Sequence, residues 1–395
     1  MLKLRKLRLL SERLARRVEL WRIVRRGKRR FSGDPRFRLH LVDQGFAPRP
    51  RDAADDAVLL GRICDAWSKT MEAQHFASET FQPHDWWKAI QRANLEPAIH
   101  ALSVRDFDSL RRMYGNFFRD PCGAGLTGLP LARIRSGERA SRSAKQLCLI
   151  DALHRIDLWK TRTGGWFGLA DLTPPNIGNP FGVVLDGTFV RHSSEDQHYC
   201  AHRIVDLLGP AEAPVVAEIG GGFGGMAYFL MRDRPGVTYL NFDLPETIAL
   251  ASYYLLSAFP DAKATLYGEA ELGAEALRST GFILMPGFAI RQLPPDSVDV
   301  AFNARILSDL PAAGLREYLA EIARTTRSYF LHLNRREGSL AAHTWLAANA
   351  PCFKLVEKRL SEWNDARTFR PDEMEYLYRR APTEQQPSAR AHPSC

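Results

Sequence analysis

The chain has 395 residues, 45% hydrophobic and 25% charged, which is globular composition and excludes wholesale disorder, collagen-like repeats and a disulfide-stapled mini-protein. Its formal charge of +9 is unevenly spread: residues 1–40 hold 15 Lys/Arg against Glu12, Glu19 and Asp34, a local +12, so the other 355 residues sum to −3. The basic pI therefore describes an arm and not the body, and the six cysteines (Cys64, Cys122, Cys148, Cys200, Cys352, Cys395) form no CxxC pair, which argues against a zinc cage and fits a reducing, cytoplasmic compartment.

In the arm, Leu7, Leu10, Leu14, Val18, Trp21 and Val24 recur at steps of three and four, a helical stripe roughly 120° wide with arginines on the other faces. Such a basic helix suits the inner face of an anionic membrane, contacted peripherally through residues 1–30; a solvated or partner-packed helix is the plainer alternative. Repeated Arg and Lys leave no apolar region for a signal peptide, and no run is long enough for a membrane span. Residues 1–50 thus read as arm and linker.

Residues 51–190 are predicted to be mainly helical, with helices at Ala57–Gln74, around Trp86–Ile90, at Val104–Phe118 and at Ala144–Lys160. This region would serve as lid, acceptor-binding layer or dimer surface. Residues 191–381 read as a second unit. A helix at Glu195–Leu208 comes first, followed by strands at Val215–Ile219, Thr238–Phe242, Phe282–Met285, Val298–Phe302 and Ser328–Leu333. Short apolar runs alternating with helices indicate a parallel sheet covered on both faces. Helices are expected at Gly225–Arg232, Glu246–Phe259, Gly314–Thr325 and Ser339–Ala348, and two more strands, Phe353–Arg359 and Met374–Tyr378, close the sheet as an antiparallel pair. Residues 382–395, rich in proline, are expected to be a disordered tail.

The chemistry concentrates in Val215–Met226, where a buried strand runs into Gly220-Gly221-Gly222-Phe223-Gly224-Gly225 and a helix start. Glycines allow close backbone approach to a ligand at the helix amino terminus. Gly220, Gly222 and Gly225 fit the G-x-G-x-x-G of dinucleotide-binding folds. Glu218, Gly220, Gly222 and Gly224 fit E-x-G-x-G-x-G, which resembles motif I of class I S-adenosylmethionine (SAM)-dependent methyltransferases. Glu218 favours the second template, because a carboxylate suits a cationic amino-acid ligand and repels a pyrophosphate. Asp243, closing the second strand, can take ribose hydroxyls in either family. The paired closing strands, with no second mononucleotide half, also favour a methyltransferase.

More specifically, Ile177-Gly178-Asn179-Pro180, a helix with Tyr199, the Glu218–Gly225 turn, Asp243-Leu244-Pro245 and Asp299-Val300-Ala301-Phe302-Asn303 resemble a family of sugar O-methyltransferases over roughly residues 175–335. The resemblance implies a Rossmann-like, seven-stranded class I methyltransferase sheet. It also implies methyl transfer from SAM to a hydroxyl of a sugar or of a glycan or glycolipid intermediate, as in polysaccharide biosynthesis. After the fourth strand the chain reads Asn303-Ala304-Arg305-Ile306-Leu307-Ser308-Asp309-Leu310, a departure from the family pattern on the substrate side.

Ligands of such sheets lie outside the carboxyl ends of the strands, which nominates Glu218, Gly220, Gly221, Gly222 and Gly224 for the amino-acid end of SAM. Asp243 and Leu244 are nominated for the ribose, Met285–Phe288 with Pro286 for the adenine face, and Asn303 for the same crevice. His332, Asp309 and His198 are the candidate bases. His198 and His202 lie four apart, but two such residues are too few for a metal site, and none is assigned. Trp363 and the Gly164-Gly165-Trp166 loop are candidate sugar platforms. An RNA-binding protein or RNA methyltransferase using the basic arm, and an NAD(P)-dependent oxidoreductase, are the alternatives.

Overall fold

The computed structural model describes residues 18–49, 56–127, 140–279, 281–366 and 372–381. Residues 1–17, and with them Leu7, Leu10 and Leu14 of the stripe, lie outside the described residues, as does the tail from residue 382. Residues 18–30 are helical, but the face they bury differs from the predicted stripe: Ile23 and Val24 are buried while Val18 and Trp21 are exposed. The reason is the neighbour. Gly27 packs so closely on Ile150 that any side chain would collide with it, and this docks the helix on Arg142–Arg162 through Ile23, Val24 and Gly27.

The helical region is close to its prediction. Ala57–Gln74 forms one helix whose buried residues Leu60, Ile63, Cys64, Trp67 and Thr70 keep the three-four spacing. The helix predicted at Val104–Phe118 is shorter, Phe107–Tyr114, capped by Asp106 accepting the Ser109 N–H at 3.0 Å; its start is displaced because the preceding helix, Glu96–Val104, ends where Arg105 adopts a left-handed conformation. Two features are additional. Residues His40–Phe46 of the linker are helical, and Gly182–Leu185 (β1) pairs with Thr188–Arg191 (β2) as a hairpin.

The second unit is an eight-stranded sheet in the order β5-β6-β4-β3-β7-β8-β10-β9. Its strands are Val215–Ile219 (β3), Thr238–Asp243 (β4), Ala264–Leu266 (β5), Gly281–Pro286 (β6), Val298–Ala304 (β7), Thr326–Arg335 (β8), Phe353–Leu360 (β9) and Glu373–Arg380 (β10). Seven of them, from β6 to β9, make the predicted seven-stranded Rossmann-like sheet, with β10 antiparallel between β8 and β9. The eighth, β5, is an unpredicted edge strand. All residues of β3 and β6 are buried, as strands covered on both faces must be.

The helical region does not stand apart from this sheet. Phe117 and Phe118 pack on Phe223 of the glycine turn, with ring centroids 5.5 and 5.2 Å away, and Tyr114 meets Tyr253 at 5.4 Å. One hydrophobic core runs through both. The strap Thr80–Gln91 is held over the carboxyl ends of the strands by Glu246, whose Oε1 accepts from Trp87 Nε1 at 2.5 Å and Gln91 Nε2 at 2.7 Å.

Candidate functional site

The parallel strands β3, β4 and β7 end at one cavity of about 360 Å³, within the usual range of small-molecule sites. The Gly220–Phe223 turn forms its floor, Phe242, Asp243 and Leu244 one wall, and Ala304, Arg305, Ile306, Asp309 and Leu310 the opposite wall. Asp196, Gln197 and Cys200 of the helix Ser194–Leu208 close the side, and the strap supplies Thr80, Phe81, Gln82, His84, Trp86 and Trp87 as a roof.

The turn owes its shape to glycine at two positions in particular. Gly220 has φ +75° and packs so tightly on Ile306 that an added Cβ would lie 2.1 Å from its Cγ1. Gly222 has φ +57°, with no protein atom within 4 Å of a Cβ position, because that space belongs to the cavity. The next element starts without a side chain in the way: Gly225 opens the helix Gly225–Asp233, whose first N–H groups have no helical acceptor.

Glu218 is buried at the end of β3 and accepts a hydrogen bond from the Tyr239 hydroxyl at 2.5 Å. Burial pushes its pKa up to about 7, with Tyr239 working in the opposite direction and Asp243 in the same one. Asp243 is raised to about 7 by burial as well, although its oxygens accept the Gly222 N–H at 2.9 Å and the Leu244 N–H at 2.7 Å. An uncharged cavity floor is costly to ionise, so both carboxyls are poised to become charged when a cation or a hydroxyl pair arrives. Asp196 differs. Burial would raise it, but Arg155 at 3.0 Å and Arg305 at 2.8 Å outweigh that and hold it ionised, below the usual carboxylate range.

Of the sequence-nominated residues, the cavity gathers Glu218, Gly220, Gly221, Gly222, Asp243, Leu244 and Asp309. Gly224 shapes the turn from outside, at φ +91° against Leu255. Asn303 turns its side chain beneath the sheet end, donating to the Ile219 carbonyl at 2.7 Å and accepting from Asn334 at 2.8 Å. Pro286 and Phe288 do not line the cavity; Tyr318 does, with its hydroxyl against Gly287 and its ring meeting Phe81 edge-on at 5.2 Å.

The candidate bases fare worse. His332 is fully buried on the other side of β8, among Phe330, Tyr376 and Tyr378, and desolvation lowers its pKa to about 3. His198 is packed between Trp159, Phe167 and Phe229, accepts from Trp159 Nε1 at 3.2 Å, and is lowered to about 4 by the same cause. Both are neutral core histidines outside the cavity. Asp309 lines the cavity but is ion-paired with Arg335. Trp363 is buried against Tyr199, and Trp166 is exposed but away from the cavity.

Residues that sequence reasoning passed over are His84, Trp86, Trp87, Phe81, Asp196, Arg305 and Tyr318. His84 caps the strap helix Asp85–Ile90 by position, stacks on Trp86 at 5.9 Å, and its ring nitrogens have no hydrogen-bond partner among the described residues. Trp86 is 55% exposed at the mouth. Arg305 is spanned by Asp196 and by Glu373, whose Oε1 it meets at 2.7 Å.

No family model and no curated protein matches this chain. Among solved structures, magnesium protoporphyrin IX methyltransferase from Synechocystis PCC 6803 with bound SAM is similar at 12% identity, covering 47% of this chain and 83% of that one, with a TM-score of 0.32. Mitomycin 7-O-methyltransferase is similar at 15% identity, over 48% and 55% of the two chains, with a TM-score of 0.30. Geranyl diphosphate C-methyltransferase from Streptomyces coelicolor A3(2) gives 9% identity, 46% and 75% coverage and a TM-score of 0.34. Likeness at this level speaks to neither acceptor nor mechanism.

Proposed function

We propose that this chain is a SAM-dependent O-methyltransferase acting on a hydroxyl of a sugar, glycan or glycolipid intermediate. The observation that carries the cofactor is the pair of carboxyls, Glu218 and Asp243, closing adjacent parallel strands on either side of the glycine turn in one cavity. Glu218 would take the ammonium of the amino-acid end and Asp243 the ribose hydroxyls. Phe81 and Tyr318 replace the Pro286 region as the aromatic wall for the base.

SAM held there would supply a methyl group activated by its sulfonium, the bonding pair of the methyl–sulfur bond remaining on sulfur as the acceptor oxygen takes the methyl. The protein must align the hydroxyl and take its proton. Of the titratable groups lining the cavity, Glu218 and Asp243 face the cofactor, Asp196, Asp309 and Arg305 are ion-paired, and burial holds the Cys200 thiol and the Tyr318 phenol in their protonated forms. Among the described residues nothing bonds the ring nitrogens of His84, which supports His84 as the proton acceptor and Trp86 as the ring platform beside it. Sugar specificity rests on this aromatic mouth and on the sequence resemblance.

The lining carries Asp196, Glu218, Asp243 and Asp309 against Arg305, which is itself paired. The one guanidinium of the lining is thus already spanned by carboxylates and offers a phosphate backbone no free cation, which disfavours an RNA acceptor. Calorimetric titration with S-adenosylhomocysteine tests the reading: the wild type binds and Glu218→Ala does not. No binding by the wild type, or equal binding by the variant, refutes it.

A second reading concerns location. Among the described residues no helix is long and apolar enough to cross a membrane. Trp21 is 58% exposed, carries Arg25 at 5.1 Å over its ring and shares its helix with the exposed Arg22 and Arg29, which supports peripheral attachment to an anionic surface. Co-sedimentation with phosphatidylglycerol but not phosphatidylcholine vesicles, lost on Trp21→Ala with Arg22→Ala, is the expected result; equal sedimentation with both lipids overturns it.

A further inference from the structure

β4 reads Thr238-Tyr239-Leu240-Asn241-Phe242-Asp243, and its polar residues 239, 241 and 243 alternate, which sets all three on one face of the strand. Each meets a successive part of the ligand loop. Tyr239 donates to Glu218 Oε2 at 2.5 Å, Asn241 Oδ1 accepts the Gly221 N–H at 3.1 Å, and Asp243 accepts the Gly222 N–H at 2.9 Å. β3 lies alongside in parallel, with Glu218 level with Asn241, so the phenol reaches its carboxylate diagonally from one step back.

Tyr239 and Asn241 are fully buried in a central strand where apolar residues would pack without desolvation cost, so their polar atoms need a reason. Neither lines the cavity, and each is spent on a group that does. We propose that Tyr239 is a positioning residue for cofactor binding, fixing the rotamer and the ionised form of Glu218 from beneath the floor, with Asn241 holding the glycine turn in register above it. This rests on the cofactor reading of Glu218.

The groups facing Glu218 are few. Tyr239 and Asp243 come from β4, and the Cys200 thiol, which feels the Glu218 charge, comes from the helix Ser194–Leu208. Of these only Tyr239 donates a hydrogen bond to the carboxylate, and removing it leaves burial and Asp243 to push Glu218 toward its neutral form.

The test is S-adenosylhomocysteine binding by full-length wild type, Tyr239→Phe, Glu218→Gln and the double variant, titrated across the neutral pH range, with melting curves to show that each is folded. Tyr239→Phe should weaken binding roughly 10- to 100-fold, the worth of a hydrogen bond to a charged group. Its acid limb should move to higher pH, because binding then requires ionising a weaker acid. In the Glu218→Gln background the same substitution should cost far less, since coupled residues are not additive. Equal affinity and an unmoved acid limb in Tyr239→Phe, or the same loss in both backgrounds, overturns the proposal. Failure of the wild type to bind would instead strike the cofactor reading beneath it.

Discussion

Gly222→Ala separates the needs of the fold from the needs of the ligand. At φ +57° an alanine is strained by about 1–2 kcal/mol, but no protein atom lies within 4 Å of its methyl, so nothing else in the fold must move. Melting should fall by only a few degrees, since each kcal/mol is worth about 2–4 °C in a domain of this order. The methyl stands in the cavity where the backbone would approach a ligand, and overpacking there costs about 1–3 kcal/mol. That converts to roughly 5- to 150-fold in affinity. Gly220→Ala is the contrast. Its Cβ would lie 2.1 Å from Ile306 Cγ1 at φ +75°, so strain and collision add and the folded state itself suffers. Melting scans with and without S-adenosylhomocysteine read both effects: Gly222→Ala keeps its fold and loses the ligand-induced shift, whereas Gly220→Ala melts several degrees earlier before any ligand is added. An affinity for Gly222→Ala within a factor of about 2 of wild type would refute the close-approach account of this turn.

Two further outcomes follow from the strap and from the core histidines. Trp87→Phe removes one of the two donors at 2.5 and 2.7 Å that satisfy the buried Glu246, a loss of about 1–3 kcal/mol, and should speed amide exchange across residues 78–95 with the sheet amides unchanged; uniform exchange refutes the strap as a separately anchored piece. His332 has a folded pKa of about 3, below its unfolded value near 6.5, so its contribution to stability is complete above that unfolded value and is lost as pH falls toward about 3. Phenylalanine at 332 should therefore flatten the acid side of the melting-temperature profile, without affecting S-adenosylhomocysteine binding; loss of binding would return His332 to the site.

What sequence reading captured was local. The strand, turn and helix of Val215–Asp233 are read from consecutive residues, and Glu218 and Asp243 from their place at strand ends. Strand parity was a signal left unused. Phe302 and Ala304 line the cavity, so Asn303 between them faces away, and Leu333 lines it, so His332 does not. The β1–β2 hairpin was also announced, by Asp186-Gly187 between apolar runs, and both residues take the positive φ of a two-residue turn. The roof was hidden for another reason. Trp87 meets Glu246 across 159 residues, and Arg305 meets Asp196 across 109, pairings that no local pattern encodes.

The Trp87–Glu246 contact also sets a timetable. During synthesis the strap leaves the ribosome 159 residues ahead of the carboxylate that anchors it, a delay of roughly 8–30 s at ordinary elongation rates. Tyr114, Phe117 and Phe118 emerge in the same interval, before Phe223 and Tyr253 exist to cover them. These rings of the nascent chain are thus made before the surface that covers them, a client for chaperones until the sheet arrives, and slowing translation between these positions should lower the yield of folded protein.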